Sequence, residues 1–196
     1  PWCGTVERYE DQSGNWGFCD MESCADWTRC YSKSVDYEKR VSTRKAETFH
    51  AQCDGQGPTV VVAKLSTGKL VGGYAGVSWA SSGGYTSGGS PTSFLFSLTN
   101  GFRHDLIAGK EGEAQYHGIT FGPKFGGDAD FMNSGQCDSI GRTYECRVGG
   151  DEWVSGVSGQ CQQDFCGSFD TFSVDALEVF AQHTLRPTPS PSASPS

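Results

Sequence analysis

The chain has 196 residues, of which 15 are Lys or Arg and 23 are Asp or Glu, so its formal net charge at neutral pH is −8. This length predicts one domain with short attachments. The negative field disfavours phosphate backbones and anionic lipids, and the longest aliphatic run, Val60–Ala63, is far shorter than the ~20 apolar residues that span a bilayer. We therefore expect neither a nucleic acid partner nor membrane insertion.

Cysteine is the most informative residue type in this sequence. The nine cysteines are Cys3, Cys19, Cys24, Cys30, Cys53, Cys137, Cys146, Cys161 and Cys166. They include no C-x-x-C pair of the kind that zinc sites use, so a disulfide framework is expected, which is typical of secreted, extracellular proteins. Because nine is an odd number, we expect at least one thiol to be free or bonded outside this sequence.

The composition divides the chain into three zones. Residues 1–30 hold four of the nine cysteines and three of the five tryptophans, which predicts a Cys-rich, loop-rich lead-in. Residues 31–183 are the predicted globular body. Residues 184–196 are rich in proline and serine and poor in apolar side chains, so they predict a polyproline II tail.

The body begins with a predicted amphipathic helix. Its apolar face recurs at helical spacing, at Ala46, Phe49, His50 and Cys53. Ser42 or Thr43 is the expected N-cap, and Gly55 is the expected residue after the end. Because His50 lies on the apolar side, we expect it to be a hydrogen-bonded core residue rather than a base.

Short strands separated by glycine turns follow the helix. The predicted strands are Thr59–Leu65, Lys69–Tyr74, Phe94–Leu98, Ala114–Phe121, Thr143–Val148 and Leu177–Ala181. The first two form a hairpin through Ser66, Thr67 and Gly68. This pattern favours a mainly β fold, a two-sheet antiparallel β-sandwich with one or two short helices.

Disulfide connectivity is predicted from order and loop length. Cys30 and Cys53 flank the helix-bearing segment and are expected to bond. Cys137–Cys146 and Cys161–Cys166 are the favoured short-range pairs. Crossed pairing between these two sets remains the competing connectivity, since sequence alone does not fix it. Two of the three remaining cysteines, Cys3, Cys19 and Cys24, are expected to pair.

The tail offers glycosylation sites. The sequence has no N-x-S/T sequon, so any glycans are expected to be O-linked. The candidate hydroxyl sites are Thr188, Ser190, Ser192, Ser194 and Ser196. The candidate hydroxyproline sites, for an algal or plant-like source, are Pro187, Pro189, Pro191 and Pro195.

Ordered motifs between about residues 29 and 181 carry a family resemblance. They are Arg29–Ser32, Thr48–Val60, Gly72-Gly73-Tyr74 with Trp79, Phe94-Leu95-Phe96-Ser97, Gly122-Pro123-Lys124-Phe125-Gly126-Gly127 with Asp130, Phe165–Phe169, and Glu178-Val179-Phe180. In this order they resemble the TLDc domain, in the disulfide-containing extracellular form found in protists and invertebrates. The resemblance implies a β-sandwich of two antiparallel sheets.

Two positions depart from the family pattern. Ala129 stands where the family has a histidine, so any proton-transfer role of that histidine is lost here. Lys124 stands where the family has a threonine. Intracellular relatives are associated with oxidative-stress resistance and with the vacuolar proton pump, and we do not expect that role in a disulfide-rich form.

Signals for chemistry are few. The sequence has neither a G-x-S-x-G elbow nor a phosphate-binding glycine loop. Glu178 lies between apolar residues, and we expect it to accept hydrogen bonds from the amides of Gly122–Gly127, where Gly126 and Gly127 permit positive φ or close strand approach. Asp128 and Asp130 are candidate calcium ligands without an EF-hand pattern. No other cofactor is expected.

Three functional hypotheses follow. The favoured one is a non-catalytic extracellular structural or interaction module, a glycosylated subunit of a cell-surface coat or filament. Its partners would be copies of itself or other extracellular glycoproteins, and residues 1–30 would contact the adjacent subunit. The first alternative is a lectin-like, carbohydrate-binding module, for which tryptophans and tyrosines form a stacking surface, although Trp79 is expected to be core. The second is a hydrolase that uses Glu178 with Asp130.

Overall fold

The computed structural model describes residues 26–36, 45–89, 92–127, 129–130, 137, 140–146, 158–168 and 172–183. The predicted cap residues Ser42 and Thr43, the cysteines Cys3, Cys19 and Cys24, and the whole predicted tail lie outside these residues. The strands within the described ranges are β1 Asp26–Ser32, β2 Thr59–Leu65, β3 Leu70–Ala75, β4 Tyr85–Thr86, β5 Phe94–Ser97, β6 Phe102–Asp105, β7 Gln115–Tyr116, β8 Lys124–Phe125, β9 Ala129–Asp130 and β10 Val174–His183. The helices are α1 Lys33–Asp36, α2 Lys45–Cys53 and α3 Ser158–Cys166, with a 3₁₀ turn at Glu111–Glu113.

The strands form two antiparallel sheets, which confirms the predicted mainly β fold. The large sheet has the order β1-β10-β2-β3-β5-β6, and the small sheet has the order β4-β7-β8-β9. In strand β2, fully buried residues alternate with partly buried or exposed ones. Val61, Ala63 and Leu65 are fully buried, whereas Val60 and Val62 between them are only partly buried. Each strand of the large sheet therefore has an inner and an outer face.

The two sheets meet at a glycine. A Cβ on Gly73 would come within 2.6 Å of Phe125 Cζ, so a ring of the small sheet packs directly on the backbone of the large one. Trp79 packs edge-to-face on Phe125, with ring centroids 5.4 Å apart, and on Phe49 at 5.6 Å. Its indole N–H donates to Thr59 Oγ1 at 2.8 Å, which satisfies the buried donor. The prediction that Trp79 is a core residue is confirmed.

The predicted helix is confirmed as α2. Gly55 follows it with φ of 72°, a backbone conformation that favours glycine after a helix end. Phe49, on its apolar face, is fully buried. The described helices have at most nine residues, and none of them has the length and apolarity needed to cross a membrane.

Several predicted strands differ from the structure. The predicted strand Ala114–Phe121 is reduced to the two residues of β7. In place of the predicted strand Thr143–Val148, the described residues have a turn that ends at Thr143, followed by Tyr144, which forms isolated bridges with Leu106 and Ile140. Residues 26–30, which composition assigns to the lead-in, form most of β1. Strands β1 and β6 are the edges of the large sheet, where polar residues are normal, so they lack the apolar alternation by which sequence predicts strands.

The disulfides confirm one prediction and correct two. Cys30 bonds to Cys53, as expected, and ties β1 to α2. The favoured pairs Cys137–Cys146 and Cys161–Cys166 are wrong, because the crossed pairs Cys137–Cys166 and Cys146–Cys161 are present. Cys161 and Cys166 both lie on α3, where residues five apart point to different sides of the helix and cannot bond. Three disulfides are typical of a protein that folds in an oxidising environment.

Candidate functional site: two exposed sheet faces and a buried histidine cluster

Glu178 does not lie where we expected it. It belongs to β10, between the buried Leu177 and Val179, so strand alternation turns its side chain to the outer face of the large sheet. There Arg29 Nη1 donates to Glu178 Oε1 at 2.8 Å. The amide of Gly126 instead donates to the carbonyl of Ala114 at 2.9 Å. Gly126 does have a positive φ, 62°, as the glycine-rich segment predicted.

The predicted catalytic and calcium-binding carboxylates are not assembled by the described residues. Glu178 is in the large sheet, and Asp130 is in β9 of the small sheet. Asp128 lies outside the described residues. Among those that are described, no group of three or more His, Cys, Asp and Glu side chains is arranged to hold a metal ion. The calcium site therefore stays a prediction.

His50 is part of a buried polar cluster. Its Nδ1 lies 2.7 Å from Asp54 Oδ1, and its Nε2 lies 3.2 Å from the carbonyl oxygen of Gly118 and 3.0 Å from that of Phe121. Ser81 Oγ donates to the second carboxylate oxygen of Asp54 at 2.8 Å. Both ring nitrogens thus lie within hydrogen-bond distance of oxygen atoms. The prediction that His50 is a hydrogen-bonded core residue is confirmed.

His117, which the sequence analysis did not single out, completes the cluster. Its ring lies 5.7 Å from that of Trp79 and is 5% exposed. Among the described residues, no group hydrogen-bonds to its buried Nε2. Burial lowers the pKa of His117, and so does His50, whereas Asp54 opposes this by favouring the charged form. The His117 ring is therefore neutral at pH 7.

The outer face of the small sheet carries a row of side chains, one exposed and two partly exposed. Tyr85 lies opposite Tyr116, and Tyr116 lies opposite Lys124. We call these three residues the tyrosine row. The rings of Tyr85 and Tyr116 are 5.0 Å apart, and Lys124 Nζ lies 5.2 Å from the centroid of Tyr116. Tyr85 is 50% exposed. Aromatic rings that are held in place and half exposed are typical of contact surfaces.

The histidine cluster supports this row from beneath. Phe121 packs edge-to-face on Tyr116, with centroids 5.3 Å apart, and Lys124 Nζ lies 4.6 Å from the ring of Phe121. The carbonyls of Gly118 and Phe121 that face His50 lie at the two ends of a turn, which the amide of Phe121 closes by donating to Gly118 at 2.9 Å. Helix α2 therefore fixes the turn that carries Phe121 against the tyrosine row.

The outer face of the large sheet is aromatic in a different way. Tyr74 stacks on Phe94 with centroids 5.2 Å apart, and the guanidinium of Arg103 lies 3.7 Å from the Phe94 centroid. The ring of Phe96 covers Gly72, where a Cβ would collide with it. We call Tyr74, Phe94, Phe96 and Arg103 the aromatic ladder. Tyr74 is 7% exposed and Phe96 is 8% exposed.

A groove lies on the outer face of the large sheet, and Ser34 of α1 is among its lining residues. It has a volume of about 270 Å³ and an apolar floor that includes Val62, Leu70 and Ala176. Lys64 and Glu178 also line it. Leu70 is 41% exposed, so the floor remains open to a partner.

The family of the chain follows from a comparison with family models. The model of the TLDc domain matches residues 18–183. The chain belongs to the TLDc domain family. A search of curated proteins found no match to this chain. Within this TLDc domain, motif residues such as Gly73, Trp79 and Phe125 join the two sheets. Those positions therefore contribute to the fold of the TLDc domain.

Proposed function

We propose that this TLDc domain is a non-catalytic, extracellular structural or interaction module, a glycosylated subunit of a cell-surface coat or filament. The observation that carries the proposal is the outer face of the large sheet. An antiparallel sheet with one face in the core normally has a polar second face. Here the second face holds Val60, Val62, Tyr74 and Phe94, all of them apolar or aromatic. A surface of this kind is typical of an interface.

A second copy of the chain is the occupant that the charges favour. At −8 the chain repels its own copies over most of its surface. The outer face of the large sheet is an exception, because Glu178 and Asp105 there are each paired with an arginine and Lys64 adds a positive charge. Arg29 binds Glu178 at one edge, and Arg103 Nε donates to Asp105 Oδ1 at 2.6 Å at the other. Two copies can approach there without net repulsion and pack sheet on sheet.

The cysteine count adds support for assembly outside a single chain. Six of the nine cysteines pair within the described residues, so three remain, and three thiols cannot all pair with one another. The secreted location rests on the disulfides. Glycosylation rests on the composition of residues 184–196.

The proposal is tested by a matched pair of surface substitutions. We expect the wild-type protein to sediment as species larger than a monomer, in a concentration-dependent way. Leu70→Glu places a charge on the outer face of the large sheet. Ile119→Glu is the matched control beside the small sheet, because Ile119 is 47% exposed and Leu70 is 41% exposed. We expect Leu70→Glu to sediment as a monomer and Ile119→Glu to assemble like the wild type. A wild-type monomer at all concentrations, or equal assembly by both variants, contradicts the proposal.

The hydrolase alternative has a direct test. The hypothesis needs the carboxylate of Glu178 free to act with Asp130, whereas that carboxylate is bound to Arg29. We expect Glu178→Gln to leave unchanged any hydrolysis of glycoside or ester substrates that the protein preparation shows. A loss of hydrolysis in Glu178→Gln, with an unchanged melting temperature, would restore the hydrolase hypothesis.

A further inference from the structure

We propose that the tyrosine row and Phe121 form a binding site for an uncharged oligosaccharide. The inference is independent of self-assembly, because it concerns the outer face of the small sheet and not that of the large one. The Tyr85 side chain in this row is 50% exposed. The neighbouring Tyr116 and Phe121 are partly exposed, so three aromatic rings meet solvent within one patch.

The site is held in its shape before any ligand arrives. A Cβ on Gly118 would lie 2.5 Å from Tyr116 Cε1. The Tyr116 ring therefore packs directly on the backbone of Gly118, which limits its movement in that direction. A Cβ on Gly127 would lie 4.0 Å from the hydroxyl oxygen of Tyr85, so Gly127 leaves space beside that hydroxyl. His50 fixes the turn behind Phe121 through two carbonyls. Prior ordering of the rings lowers the entropy cost of binding.

The charges select the class of ligand. The cation of Lys124 lies beside the rings of Tyr116 and Phe121, and the strand register places Asp130 opposite Lys124. The chain as a whole, at −8, repels anionic polymers. The row therefore does not suit a uronate or a sulfated glycan.

An uncharged saccharide suits the same row. Its C–H faces stack on aromatic rings, and its hydroxyls accept hydrogen bonds from an ammonium group and from tyrosine hydroxyls. Tyr85, Tyr116 and Lys124 lie on three successive strands, each about 4.8 Å from the next. A row of that length spans about two sugar rings. Lys124, which stands where the family pattern has threonine, supplies the donor that is particular to this chain.

The experiment titrates the wild-type chain with uncharged hexasaccharides of β-1,4-glucose, β-1,3-glucose, β-1,4-mannose and β-1,4-xylose, and with an oligouronate and a sulfated oligosaccharide as charged comparisons. We expect saturable binding to at least one uncharged probe. Tyr85→Ala should weaken that binding about tenfold, and Lys124→Thr should weaken it about threefold. Trp27→Ala is the matched control, since Trp27 is an exposed aromatic residue, 40% exposed, on the edge of the large sheet. It should bind like the wild type.

Three results would overturn the inference. They are absence of saturable binding to every uncharged probe up to about 10 mM, unchanged binding in both Tyr85→Ala and Lys124→Thr, and binding confined to the charged probes. Sedimentation of the same Tyr85→Ala sample separates this inference from the assembly proposal. If the variant loses sugar binding and still assembles, the two surfaces act independently. If no uncharged probe binds while Leu70→Glu abolishes assembly, the sugar-binding inference is wrong and the assembly proposal stands.

Discussion

The outer faces of the two sheets are both aromatic, but they differ in how much of each ring meets solvent. In the aromatic ladder, Tyr74 and Phe96 are less than a tenth exposed, Arg103 lies on the ring of Phe94, and Phe96 packs on Gly72. In the tyrosine row, Tyr85 is half exposed and its neighbours stand edge-on to one another. The first arrangement gives a nearly flat apolar surface that suits a second protein surface. The second gives separate rings that suit a small, polar ligand.

The largest effect is expected at the contact that holds both faces in place. Gly73→Ala would put a methyl group 2.6 Å from Phe125 and 2.9 Å from Leu95, so the two sheets would have to separate. We expect the free energy of unfolding to fall by at least about 3 kcal/mol, measured by urea denaturation. Gly112→Ala is the control, since nothing lies within 4 Å of its Cβ position. Equal stability of the two variants would show that the sheets do not meet at Gly73.

Removing one disulfide should weaken the large sheet without affecting the tyrosine row. Cys30 and Cys53 are separated by 23 residues and tie the edge strand β1 to α2. The double substitution Cys30→Ser with Cys53→Ser should lower the free energy of unfolding by about 3 kcal/mol. Sugar affinity, measured on the folded fraction, should not change. A loss of sugar affinity would mean that the two faces are coupled.

A histidine substitution should act on the small sheet selectively. His50→Ala removes the ring whose nitrogens lie against Asp54 and against the carbonyls of Gly118 and Phe121. We expect a loss of about 2–3 kcal/mol in unfolding free energy and weaker sugar binding. His104→Ala is the matched control, because His104 is also 3% exposed but packs on Phe165 near the large sheet. It should destabilise the protein and leave sugar binding of the folded fraction unchanged.

The buried His117 predicts a pH dependence of stability. Burial lowers its pKa in the folded protein, so in the unfolded chain, with the ordinary value of about 6.5, it binds a proton more readily. Its contribution is fully present above about pH 6.5 and is lost as the pH falls toward the lowered pKa. Relative to His117→Gln, the free energy of unfolding of the wild type should fall by at most about 1.4 kcal/mol per pH unit as the pH is lowered from 6.5 to 5. Parallel stability profiles of the two proteins would contradict this.

The smallest effect is expected for the exposed row itself. Tyr85→Ala should change the free energy of unfolding by less than about 0.5 kcal/mol, because half of the Tyr85 side chain is already in water. Thermal melts of the variant and the wild type test this. A loss of several kcal/mol would show that Tyr85 stabilises the fold and is not a binding residue.

The sequence predicted those parts of the fold that depend on local patterns. Helix α2, the β2–β3 hairpin, and the buried Trp79 follow from periodicity and turn residues. The Cys30–Cys53 bond was predicted, but the pairing of the other four bonded cysteines was not, because loop length favours short-range pairs and only the helical geometry of α3 forbids Cys161–Cys166. Glu178 was misplaced because an acidic residue between two buried ones suits an outward position on an alternating strand.

The candidate sites needed the structure. Tyr85, Tyr116 and Lys124 become neighbours through strand register, which no local pattern specifies. The proximity of His50, Asp54 and Ser81 likewise depends on how a loop packs against α2. The sequence did indicate that tyrosines were candidates for sugar stacking, but not which ones.

The predicted contact of residues 1–30 with an adjacent subunit is best tested by a deletion that leaves β1 intact. Removing all of them would delete most of β1 and the Cys30–Cys53 bond, so loss of assembly could follow from damage to the large sheet. A deletion of residues 1–25 spares β1. It isolates the predicted contact of the lead-in with an adjacent subunit, and we expect a folded monomer. Unchanged assembly after that deletion would remove the lead-in from the interface.

The contrast between the two faces is tested most directly by hydroxyl-radical footprinting of the wild-type chain at low and high protein concentration. The account predicts that Leu70 and Phe94, on the outer face of the large sheet, become protected as the concentration rises, while Tyr85 reacts at the same rate throughout. Protection of Tyr85 with no change at Leu70 and Phe94 would contradict it, since the small sheet would then be the surface that meets another copy.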